Sequence, residues 1–102
     1  MYTDRTYTCF MDIEWGQRKA AINLQNHGVD FADAVIALQD ENALTIEDND
    51  HEEQRFKTLG LDLRLNVLFV VYAYCGKDCI RIIPARKADI NETRQYYKGI
   101  KL

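Results

Sequence analysis

At 102 residues the chain is expected to fold as a single domain spanning 1–102, with one modest hydrophobic core. A 47% hydrophobic, 28% charged composition with one proline excludes disordered and low-complexity classes. The net charge of −3 excludes a uniformly basic nucleic-acid binder, yet residues 1–60 carry five basic against twelve acidic side chains and residues 61–102 eight against four. That asymmetry points to a basic face for a polyanion and an acidic one for another partner. The longest apolar run, VLFVVYAYC at 67–75, is about half the length of a spanning helix, so no membrane contact is expected. The opening MYTDRTYTCF has no basic-then-apolar export pattern, and a cytoplasmic location is expected.

In chain order, YTCFMDIEW (7–15) alternates and predicts a strand, with Cys9, Met11 and Ile13 on one face. QRKAAINLQNHG predicts a helix ended by Gly28 in a left-handed conformation. DFADAVIAL then restarts at an Asp30 cap, with Phe31, Ala34, Val35 and Leu38 on one buried stripe. ALTIED predicts a short strand, NDHEEQ an acidic turn, and RFKTLGLD a strand with Arg55, Lys57 and Leu59 on one side. LNVLFVVYAY, apolar on both faces, predicts a central strand. CIRIIPA predicts a further strand with Cys79, Arg81 and Ile83 on one face, stopped by Pro84. DINETRQYYKG opens with an Asp-x-x-Glu capping pattern, Asp89 to Glu92, and predicts a short helix. The expected class is α+β: a small antiparallel sheet with two N-terminal helices and a C-terminal helix.

Cys75 and Cys79 are separated by three residues, and His27 and His51 lie far from them, so the paired spacing of a structural zinc site is missing. The two thiols are expected to be reduced and half-buried beside a hairpin turn, with no metal and no cofactor.

Three motifs, in order, carry a resemblance. Trp15, Lys19, Asn23, His27, Gly28, Val29, Phe31 and Ala34 form the first; LTIED followed by EEQRF, through Gly60, forms the second. RIIPARKA (81–88) with Glu92 and Tyr96 closes the series. Together they resemble BrnT toxins over about residues 12–97. The resemblance implies a RelE-like fold and metal-independent ribonuclease activity. It also implies a BrnA-like antitoxin, through which alone operator DNA would be met. Departures from the family pattern fall at Gly16, Gln17, Asn26 and Pro84, the last two replacing a lysine and a serine.

Such cleavage uses the substrate's own 2′-hydroxyl, and arginine suits the developing phosphorane because its fork grips phosphate and never deprotonates. Arg81, Arg86, Arg55 and Glu92 are therefore the expected catalytic set, with Lys87, Lys57, Tyr96 and His27 expected to bind substrate. Each has an ordinary structural alternative: a solvated strand end for the cations, helix capping for Glu92, a packed C-terminal imidazole for His27. A catalytically degenerate toxin that only binds antitoxin or nucleic acid also stays open, favoured by the acidic first half and by Asn26 and Pro84.

Overall fold

The computed structural model describes residues 2–7, 12–48 and 54–99, the first of these as backbone only. The elements are β1 (Tyr2–Tyr7), β2 (Asp12–Gly16), α1 (Gln17–His27), α2 (Phe31–Leu38), β3 (Leu44–Asp48), β4 (Arg55–Leu61), β5 (Val67–Gly76), β6 (Cys79–Lys87) and α3 (Ile90–Gly99). The α+β reading holds. The strands form one six-stranded sheet in the order β1-β2-β6-β5-β4-β3.

Three expectations need correction. The strand expected over 7–15 is divided: β1 ends at Tyr7 and β2 begins at Asp12, the two pairing antiparallel. The part of that reading that falls on Cys9, Phe10 and Met11 lies outside the described residues. The sheet is mixed, because β2 runs parallel to β6. After β2 the chain passes through two helices and three strands before β6, a crossover long enough to permit parallel pairing.

Pro84, finally, does not end β6. Val70 pairs with Ala85 but Tyr72 pairs with Ile82, so β6 carries one extra residue at Ile83–Pro84. That is a β-bulge, a place in a strand where a residue lacking an N–H is tolerated. A bulge also resets which face each later side chain takes. Arg81 and Arg86, five apart, would point to opposite faces of an unbroken strand; the bulge brings them to the same one.

One face of the sheet is covered by α1 and α2. Phe31, Ala34, Val35 and Ala37 pack on Ile13, Leu68, Val70, Ile80, Ile82 and Ala85, with Trp15 edge-on to Phe31 at 6.3 Å. Asp30 accepts from the Ala32 N–H and Gly28 takes φ 69°, as the two caps require. The end of α2 lies so near β4 that a Cβ on Gly60 would meet the Ala37 carbonyl oxygen at 2.1 Å. Backbone cannot yield there as a flexible side chain would. Gly60→Ala is expected to cost about 2–3 kcal/mol, as overpacking does, read as a lower midpoint in urea.

Among the described residues, α3 packs on the opposite face toward one end. Tyr96 of α3 is fully buried against Leu59 and Val67, with Leu44, Phe69 and Ala88 around it. Val71 and Ala73, toward the other end of this face, lie outside that cluster although both are buried.

Candidate phosphate-binding face

The register places the cations on this second face. Arg55 and Arg81 are both Cα partners of Ala73, from either side. Their Cα atoms are thus two strand spacings apart, about 10 Å, with a single methyl group between them. Such a gap lets two long side chains converge over a small floor. Lys57 pairs with Val71 and Arg86 with Phe69, and both partners alternate with Ala73 along β5. Arg55, Arg81, Lys57 and Arg86 therefore occupy one face over a length of about 13 Å.

Two carboxylates flank the arginines of the central row. Glu14 is the register partner of Arg81 and Asp48 that of Arg55, and both are buried. The row across the six strands reads Asp48, Arg55, Ala73, Arg81, Glu14 and, on β1, Arg5. Lys57 also lies 3.5 Å from Asp48. Neither carboxylate is singled out by the sequence; only strand register reveals them.

Arg55 Nε is buried with no hydrogen-bond partner among the described residues. A buried guanidinium N–H left unmatched is costly, and a bound anion is one way to satisfy it.

Arg86 is held differently. Its guanidinium lies 4.2 Å from the Phe69 ring centroid and donates to both Glu92 oxygens, at 2.8 and 3.0 Å. Glu92 also caps α3: its Oε1 accepts from the Asp89 N–H at 2.9 Å, while its own N–H donates to Asp89 Oδ1 at 2.7 Å. The Arg86 hydrogen bonds hold the Glu92 carboxyl below its ordinary value although burial opposes them, and they raise Arg86. Lys57, Arg86 and Glu92 line a shared recess of about 320 Å³ with Leu44, Ile46, Leu59, Phe69 and Gln95.

The sign of the pH effect follows from the lowered carboxyl. The pair's contribution is complete above the ordinary Glu pKa of 4.5 and lost as pH falls through the lower folded value. Glu92→Gln is thus expected to be less stable than the parent at pH 7. Urea titrations should show that deficit closing as the solution is acidified below pH 4.5.

Three expected substrate contacts are not brought to the cationic line. Tyr96 is core: it is fully buried and its hydroxyl donates to Asp40 Oδ2. Burial first, and the Asp40 carboxylate second, hold that phenol far above its ordinary value. Asp40 also accepts from the Leu61 N–H at 2.9 Å, so the pair ties α3 and the α2–β3 turn to β4. Glu92 and Tyr96, four apart on α3, share a helix face, but Glu92 lines the recess while Tyr96 belongs to the core. Lys87 pairs with Leu68 and so alternates to the α1–α2 side. His27 closes α1 on that same side, lining a shallow groove of about 200 Å³ with Lys19, Ile22, Asn23, Asn26, Ile83 and Pro84.

Residues 15–92 match the family described as "Ribonuclease toxin, BrnT, of type II toxin-antitoxin system". This chain belongs to that family. Its fold is similar to the crystal structure of the Brucella abortus ribonuclease toxin, BrnT, with a TM-score of 0.56 at 23% identity, covering 74% of this chain and 92% of that one. No curated protein matches the chain.

The family motifs acquire structural meaning here. Asn23, a motif residue to which the sequence assigns no task, is buried and bonded three ways: Nδ2 donates to Val29 O at 2.9 Å and Ala85 O at 2.7 Å, and Oδ1 accepts from Ala85 N at 3.0 Å. Its amide treats Ala85 as a neighbouring strand would, and so pins β6 just after the bulge. Among the described residues no helix is long and apolar enough to cross a membrane, and the apolar run at 67–75 is strand β5.

Proposed function

We propose that this chain is an endoribonuclease toxin that cleaves RNA without a metal, its scissile phosphate held between Arg55 and Arg81 over Ala73. The supporting observation is the pair of arginines flanking a single alanine, one of them with a buried and unmatched Nε. In the reaction the 2′-oxygen loses its proton and attacks the adjacent phosphorus. The bond from phosphorus to the 5′-oxygen breaks, and that oxygen takes up a proton. The products are a 2′,3′-cyclic phosphate and a 5′-hydroxyl. Charge accumulates on the non-bridging oxygens, where fixed guanidinium forks are most effective.

Lys57 and Arg86 extend the cationic line and hold neighbouring phosphates. Glu92 positions rather than abstracts: its oxygens already serve Arg86 and the α3 cap, and its lowered pKa makes it a weak base. Asn26 and Pro84, the substitutions that favoured a degenerate toxin, line the α1 groove on the other side of the sheet. They leave the arginine face intact. The expected partner is a BrnA-like antitoxin, with operator DNA met only through it, in the cytoplasm.

The test is cleavage of a defined RNA by the purified chain in EDTA, with analysis of the product ends. Cyclic phosphate and 5′-hydroxyl ends are expected. Products carrying 5′-phosphate, or cleavage only with added divalent metal, would contradict the mechanism.

A further inference from the structure

The expectation of two free thiols fails: Cys75 and Cys79 are joined as a disulfide, their Cα atoms 5.2 Å apart. The hairpin brings them together. Gly76 pairs with Cys79, and a register shift between Tyr74 and Gly76 sets Cys75 beside the turn. That separation is well within disulfide range.

A third group belongs to this corner. The Glu14 carboxylate and the two sulfurs all lie within 4.8 Å of one another. Glu14 is buried, at 8% exposure, whereas both cysteines are half-buried. Asp12, two residues before Glu14 on β2, is the register partner of Cys79 and adds a second carboxylate to the same face. Three different strands, β2, β5 and β6, thus supply the corner.

From this we infer that the reduced chain holds a thiophilic divalent cation, zinc being the natural one, on Cys75, Cys79 and Glu14, with solvent in the fourth position. Two thiolates and one carboxylate are an ordinary donor set for tetrahedral zinc. Tetrahedral bonds of about 2.3 Å to each sulfur need the sulfurs about 3.8 Å apart. Cleaving the disulfide allows that through side-chain rotation, with the hairpin unchanged. A thiol reductant opens the disulfide to two thiols, becoming a disulfide itself. The cation then displaces the two thiol protons. Three ligand charges against two on the metal leave the site net negative, which suits Arg81, the register partner of Glu14. Disulfide and metal exclude each other, so the corner binds metal only under reducing conditions. This inference does not depend on the RNA reading.

The experiment uses the full chain carrying Cys9→Ser, which removes the third thiol. The chain, reduced with excess dithiothreitol and then freed of it under anaerobic conditions, is titrated with Zn²⁺ by calorimetry. The oxidised chain is run in parallel. One equivalent is expected per reduced chain and none at the oxidised corner. Glu14→Gln should weaken uptake by at least about tenfold, the floor for losing even an outer partner of a metal ligand. X-ray absorption of the zinc-loaded wild-type corner should show two sulfurs and the rest lighter atoms, a readout that does not depend on any Glu14 variant folding. No uptake by the reduced chain, equal uptake by the oxidised one, a four-sulfur shell, or unchanged affinity in Glu14→Gln would each overturn the site.

Discussion

Arg81→Ala is expected to slow RNA cleavage by about 10²–10³-fold, the range for removing one preorganised donor from a developing oxyanion. The chain should keep its circular dichroism spectrum, because Arg81 is only half-buried and lies outside both apolar clusters. The loss should fall on kcat more than on KM, since the phosphorane needs the guanidinium more than the ground-state phosphate does. Arg81→Lys should recover only part of the rate. A lysine restores the charge but offers a point cation where a planar fork is required. Arg86→Ala should show the opposite balance. Its guanidinium is committed to Glu92 and Phe69, so it contributes through binding of a neighbouring phosphate, and KM should rise more than kcat falls.

The second large effect concerns stability. Asn23→Leu keeps the shape of a buried side chain and deletes its three hydrogen bonds. The N–H and C=O of Ala85 and the C=O of Val29 then lose the partner that Asn23 supplied. At about 1–3 kcal/mol for each of these three buried groups left unmatched, a total of at least about 3 kcal/mol is expected. That is a large share of the roughly 5–15 kcal/mol that holds a domain of this size together. Urea unfolding would read it directly. Asn23→Asp should not rescue the loss. The carboxylate keeps an acceptor for Ala85 N but brings no donor for the two carbonyls, and it buries a charge. Because Asn23 grips β6 one residue before Arg86, the same substitution is also expected to loosen the cationic line.

Much of this architecture was legible from local signals. The caps at Gly28, Asp30 and Asp89–Glu92 depend on neighbours within a turn, and the doubly apolar run of β5 marks a strand covered on both sides. What stayed hidden depends on distant partners. Pro84 reads as a stop because alternation assumes an unbroken strand, and a bulge becomes visible only once Val70 and Tyr72 have been matched to β6. Asn23 finds its partner 62 residues away. The placement of Arg55 and Arg81 on either side of Ala73 needs the register of three strands at once. Tyr96 and His27 show the converse, since motif membership does not place a side chain on the cationic line. One belongs to the α3 core and the other to the far side of the sheet.

The most direct test of the arginine pair is a double-mutant cycle on single-turnover RNA cleavage, using Arg55→Ala, Arg81→Ala and the two combined. If both guanidinium groups hold one phosphate, the second substitution adds little once the first is made, and the double variant cleaves about as slowly as the slower single. Losses that multiply would mean two independent sites. Singles that cleave as fast as the parent would remove the pair from the reaction altogether.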